Sequence, residues 1–400
     1  MIRLLEFVIA LVIVAVVFLV VGLVLPSHRH VEHSIETNHP IRQVYDTVSG
    51  FERFPEWHPM RATDPDVEYR IPGSPRGEGA VLEFESADRR LGSGTWEIVE
   101  AVEDTEVVFE LQDTAYGTGK THRIEVEERG KTVVITWSYD VEYGWNLFGR
   151  YAGLYINRHV GDTIKSGLNN VAGLIATMPN FDYSQLVVTK ELLQPQHIVY
   201  SSKTADRNIT AVAGKMDEGL AQVRRAIESN GLEAAGPPRL ITTNFGDEKY
   251  DFDIALPVRV AGPGDEEGDE EDFDEELDRL EDDDELDRWA AAENGAEVSE
   301  VMSDPDACKG KLEAPEPLAR EPATAADVKF GQSYGGCAVK ARYVGHPAAL
   351  PLVRDMLRSY AASHGLQIHD RAFEEYLTPM DVERSGTDAG FNVYWPVRQR

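Results

Sequence analysis

The stretch from Gly149 to Met178 constrains this chain more than any other. Val160, Ile164, Leu168, Val171 and Ile175 recur at steps of four, four, three and four, the period of one apolar helix face. Pro179 stops that helix. Gly161, Gly167 and Gly173 each weaken it, which requires something to pack on it closely. A long helix after a run of strands predicts an α+β unit in which a curved sheet grips the helix.

The upstream residues supply that sheet. His30 to Thr37 alternates as a strand, and Asn38 with Pro40 opens a helix whose apolar face is Ile41, Val44, Tyr45 and Val48. The aromatic segment Phe51 to Met60 is a short helix or turn between prolines. Strands are expected over 80–86, 94–103, 105–112, 120–128 and 132–141, separated by Gly/Ser/Pro turns. This order resembles the START/polyketide-cyclase-like (SRPBCC) helix-grip superfamily. The resemblance rests on strand-Asn38-x-Pro40, Phe51-x-x-Phe54-Pro55-x-Trp57-x-Pro59, Gly94-x-Trp96 and the helix after Gly149. It implies a cavity for a hydrophobic ligand, with Trp57, Trp96 and Trp137 as lining residues if they are not plain core. Some members of the superfamily cyclise polyketides, and His122, Tyr139, Tyr143 and His159 are the acid–base candidates, although none makes a recognisable pair.

Residues 179–400 read as a second unit with an internal repeat. Strand 185–201, a helix from about Ala213 to Asn230, and strands 239–245 and 252–260 form the first copy. Strand 336–344, a helix from about Ala348 to His364, and strands 372–377 and 390–397 form the second. The copies end in Leu256-Pro257-Val258 and Trp395-Pro396-Val397. With Gly365-Leu366 and Glu374-Glu375-Tyr376-Leu377-Thr378-Pro379, this resembles the GyrI-like effector-binding domain. That resemblance implies a site for a bulky, often cationic, aromatic ligand between the halves. By position it would use Glu374 or Glu375 as the acid and Tyr376, Tyr394 and Trp395 as the aromatics. Adjacent strand residues point to opposite faces, so at most one glutamate should face such a site. His346 and Glu375 are the acid–base suspects of a hydrolase reading.

Residues 262–324 interrupt the repeat as an acidic low-complexity insertion, expected to be largely disordered. Asp265 to Arg288 alone holds 17 acids against two arginines, a net of −15 out of the chain's −31. Phe273, Leu277 and Leu280 could form one helix face on a basic protein partner, a solvated spacer being the plainer reading. The overall charge argues against nucleic acid.

Residues 1–29 contain an uncharged run, Phe7 to Leu25, long enough to cross a bilayer, followed by Pro26. The long apolar core and the absence of a small-x-small site favour a retained single-pass anchor over a cleaved signal, with the bulk outside the cytoplasm. Cys308 and Cys337 have no zinc-ligand spacing and are either a disulfide or two thiols. His28, His30, His33 and His39 with Glu32 suggest metal ligands but read more simply as a polar collar beside the membrane. Nothing in the sequence demands a cofactor. The expectation is a membrane-anchored binder or sensor of hydrophobic or cationic aromatic small molecules. A cyclase or hydrolase using one of the cavities is the alternative, and the absence of a Gly-x-Ser-x-Gly motif weighs against it.

Overall fold

The computed structural model describes residues 2–260, 307–318, 322, 327–378 and 389–399. It is a mixed α+β structure with antiparallel sheets and divides into two compact units, Met1–Asp182 and Tyr183–Arg400. The acidic stretch 262–306, with the Phe273, Leu277 and Leu280 pattern, lies outside the described residues.

The first unit opens with α1 (Ile2–Val24), a helix apolar on every side from Phe7 onward and exposed along nearly all its length. By length and composition it meets the requirements of a membrane span, and equally those of a secretory signal. Then come β1 (His28–Thr37), α2 (Ile41–Val48), α3 (Phe54–Trp57), α4 (Met60–Thr63), β2 (Glu68–Arg70), β3 (Val81–Glu85), β4 (Ser93–Val102), β5 (Glu106–Asp113), β6 (Thr118–Arg129), β7 (Thr132–Glu142), α5 (Leu147–Ala152) and α6 (Ile156–Ile175). The seven strands form one sheet in the order β1-β7-β6-β5-β4-β3-β2. Helix α6 buries Ile164, Leu168, Val171 and Ile175 and packs on β1, β7 and α3. At Gly167 a Cβ would stand 2.4 Å from Cζ3 of Trp137, so only glycine admits that ring. At Gly161 a Cβ would stand 3.3 Å from His33 and 3.4 Å from Val31, tight but less so than at Gly167, whereas the space at Gly173 is open and the expected close contact is missing there.

The second unit comprises β8 (Val188–Leu193), β9 (His197–Asp206), α7 (Ile209–Ser229), β10 (Leu232–Ala234), β11 (Arg239–Phe245), β12 (Lys249–Val260), β13 (Lys329–Gln332), β14 (Gly336–Val344), α8 (Leu350–Ser363), β15 (Leu366–Ile368), β16 (Phe373–Tyr376) and β17 (Gly390–Gln399). The single strand expected over 185–201 is two strands. Pro195, which has no N–H to donate, interrupts the ladder between them. The sheet order is β13-β9-β12-β11-β16-β17-β14-β8, with β10 on β12 and β15 on β17. β9, β12 and β11 thus run in one order and β14, β17 and β16 in its mirror image, with β11 and β16 paired at the middle. β8 precedes the first set in the chain yet pairs with β14 of the second, and β13 pairs with β9 of the first. Helix α7 packs on β9 and β12, and α8 on β14 and β17. The insertion is shorter than expected, because residues 307–318 lie against this unit. Cys308 and Cys337 form a disulfide with their Cα atoms 5.3 Å apart. Gln194 donates to the Lys311 carbonyl, and the His197 ring bonds the Glu316 carbonyl.

Candidate functional site

The second unit holds a cavity of about 350 Å³. Its walls come from the start of α7, the start of α8 and the sheet strands between them. Asn208 fixes one wall by accepting a hydrogen bond from the Ala211 N–H at 2.8 Å, which caps α7. Pro347 and Pro351 shape the other wall at the beginning of α8. Leu240, Phe245, Tyr250 and Leu350 make the floor apolar.

Two arginines and one glutamate supply the polarity. Glu374, 1% exposed, and Tyr376 point into the cavity from β16. The Arg354 Nε stands 3.4 Å from Glu374 Oε1, and no hydrogen bond satisfies that buried oxygen. Arg354 also donates to the Tyr250 hydroxyl at 3.2 Å and to the Thr242 hydroxyl. The guanidinium groups of Arg207 and Arg354 lie 4.1 and 5.1 Å from the centre of the Phe245 ring. Burial pushes the Glu374 carboxyl above its ordinary range, and Arg354 only partly offsets that. Both helices present their N-terminal ends here, which adds positive potential.

The residues expected to share one ligand site are split between the two faces of the sheet. Glu374 and Tyr376 line the cavity. Glu375 lies on the opposite face, where Arg239 donates to one oxygen and Asn392 and Tyr394 donate to the other. Both glutamates are buried and their environments differ, as β alternation requires. Tyr394 stacks on Phe373 on the Glu375 face, and Trp395 is half-buried beneath Arg358; neither lines the cavity. His346 is exposed and its ring accepts the Ala348 N–H, so it caps a turn, while Glu375 is held by three donors. Arg354 escaped the sequence reading, yet it carried a signal. It sits on the apolar stripe Leu350, Val353, Leu357, Tyr360, where a charge must find a partner.

In the first unit Trp57, Trp96 and Trp137 are fully buried, packed against Phe54, Phe109, His58 and His122. Ring centres are 5.5 Å apart for Trp57 and Trp137, and 4.6 Å for Trp96 and His122. Trp137 Nε1 donates to His122 Nδ1 at 3.1 Å, so the His122 proton is on Nε2, which has no partner. The Trp57 and Trp96 Nε1 atoms and His58 Nδ1 also lack partners. Tyr139 lies beside His122, with ring centres 4.6 Å apart, and His159 is exposed elsewhere. His58, not anticipated from sequence, stacks on Phe54. Tyr143 is buried beneath Gly149 and Gly153. Of the collar histidines, His28 and His30 share Asp140, while His39 bonds Gln43. Among the described residues, no group of three or more His, Cys, Asp or Glu side chains is arranged to hold a metal ion.

Residues 28–176 match the family model described as polyketide cyclase / dehydrase and lipid transport. Norcoclaurine synthase from Thalictrum flavum is similar at 12% identity over 38% of this chain and 94% of its own, with a TM-score of 0.31. A protein from Nitrosospira multiformis is 14% identical over 36% of this chain and 94% of its own, TM-score 0.29. The EcmrR C-terminal domain is 8% identical over 54% of this chain and 99% of its own, TM-score 0.34. No curated protein sequence matches the chain. Residues 28–176 are thus a domain of the polyketide cyclase/dehydrase type.

Proposed function

We propose that this is a membrane-anchored protein that binds a small molecule in the cavity of its second unit, and that the ligand has an apolar body and an acidic end. The observation that carries the reading is the cavity itself. Two guanidinium groups and two helix N-termini stand against one carboxylate whose charge burial already disfavours. A cationic aromatic ligand would have to compete with Arg354 for Glu374 and would leave the arginine buried without its partner. Residues 179–400 act as a duplicated, GyrI-like ligand-binding domain, a reading supported by the mirrored strand orders about β11 and β16. The polyketide-cyclase-type domain supports small-molecule binding as well. Helix α1 is the retained anchor, and the soluble units lie outside the cytoplasm, where the Cys308–Cys337 disulfide persists.

The test is a matched set of probes with one aromatic body: 1-naphthoate, naphthalene and 1-naphthylmethylammonium, titrated calorimetrically into the full chain in detergent. The carboxylate is expected to bind at least about tenfold tighter than the ammonium, from one charge-assisted hydrogen bond to an arginine. Tightest binding by the ammonium would restore the cation reading and overturn this one.

A further inference from the structure

We infer that the segment from Trp145 to Tyr155 is a second membrane contact, an aromatic foot that seats the first unit in the lipid headgroup region beside α1. The inference rests on α1 being a membrane span. Trp145 is 83% exposed, Phe148 67%, Leu154 51% and Tyr155 61%. Four large apolar side chains within one short stretch is unusual for a surface facing only water.

What covers them follows from where α5 is fastened. Tyr151 stacks on Phe18 of α1 with ring centres 4.5 Å apart, and its hydroxyl donates to the Phe18 carbonyl at 2.8 Å. Phe148 is 5.5 Å from the same ring. Gly22, the glycine of the apolar run, is buried; a Cβ there would stand 3.3 Å from Leu147 and Tyr151. The Arg150 guanidinium donates to the carbonyls of Gly22, Leu23 and Leu25, the carbonyls that a helix end leaves without intrahelical partners. Helix α5 is therefore clamped along the last turns of α1.

That clamp sets a depth. Phe18 lies six residues before Val24, about 9 Å along the axis at 1.5 Å per residue. If Leu4–Val24 fills a hydrocarbon layer of about 30 Å, Phe148 and Tyr151 stand inside its edge and Trp145 stands near the headgroups. Backbone and amide groups at the start of the segment are already paired, as that position favours. Asn146 accepts from the Gly149 N–H, and Arg150 covers the Gly144 carbonyl. Tryptophan and tyrosine are the residues that favour this interface, and the buried Arg150 guanidinium is satisfied by backbone carbonyls rather than by water.

The test uses the full chain in phosphatidylcholine vesicles whose acyl chains carry bromine near the headgroup, a contact quencher of indole. Trp145→Phe is the control, and the difference between the two proteins isolates Trp145 from the buried Trp57, Trp96 and Trp137. The Trp145 emission is expected to fall roughly twofold or more in the brominated vesicles, because the ring sits at the interface. Chain that stays in vesicles after carbonate washing with unquenched Trp145 overturns the inference, leaves the anchor intact and assigns the patch to a protein partner or a second copy. Chain that washes off overturns the anchor and the inference together.

Discussion

Arg354→Met is expected to destabilise the second unit by about 3–5 kcal/mol, the range for breaking one partner of a buried ion pair. The substitution keeps most of the side-chain volume and removes the group that faces Glu374, Tyr250 and Thr242. Glu374 then has no counter-charge in a buried site. Its carboxyl is already pushed up by burial, and losing Arg354 pushes it further. A raised folded-state pKa means the protonated form is the favoured one. The variant should therefore lie nearest to wild type at low pH and lose ground as pH rises. Arg354→Met combined with Glu374→Gln should recover most of the loss, since no buried charge remains. Urea unfolding of the three proteins at pH 5 and pH 8 measures this. A single variant within about 1 kcal/mol of wild type at pH 8 would show that the pair carries little energy.

The first unit is expected to lose about 3 kcal/mol between pH 6.5 and pH 5 through His58 and His122, because each approaches 1.36 kcal/mol per pH unit only once the pH is below the unfolded value near 6.5. Burial pushes the His58 imidazole down to about 3. His122 is held well below its ordinary value by burial first, then by His58 and Lys120. Folding depresses both, so the stability is fully present above about 6.5 and is lost as pH falls and the unfolded state takes up protons. His58→Phe retains an aromatic ring against Phe54 and should roughly halve the slope. Thermal unfolding of the first unit followed between pH 7 and pH 5 measures it, and a flat profile would mean that both imidazoles reach water.

Much of this fold was legible because local spacing carries it. The α6 face was written in apolar steps of three and four, and the strands from β3 to β7 in alternation between turn residues. β2 was missed, because Glu68-Tyr69-Arg70 is too short to show a period. The opposite facing of Glu374 and Glu375 followed from alternation, but the burial of both did not. Each is held by an arginine distant in sequence, Arg354 on α8 and Arg239 on β11. Pro195 marked the break between β8 and β9, yet the pairing of β8 with β14 joins residues far apart in the chain and leaves no local pattern. The cavity has the same origin. Its walls come from residues 207–212, 240–250, 347–354 and 374–376; of these the sequence pointed to Glu374 and Tyr376, and the apolar-face position of Arg354 was the one further hint. The disulfide required knowing that residues 307–318 come back to the sheet beside β8.

The most direct measurement is native mass spectrometry of the full chain released from membranes in mild detergent. Wild type should carry a bound small molecule of defined mass, retained in Trp145→Phe. The folded double variant Arg354→Met/Glu374→Gln should lose it, because the cavity remains while its charged groups are gone. A bare chain mass for wild type, or the same adduct on the double variant, would contradict a ligand held in this cavity.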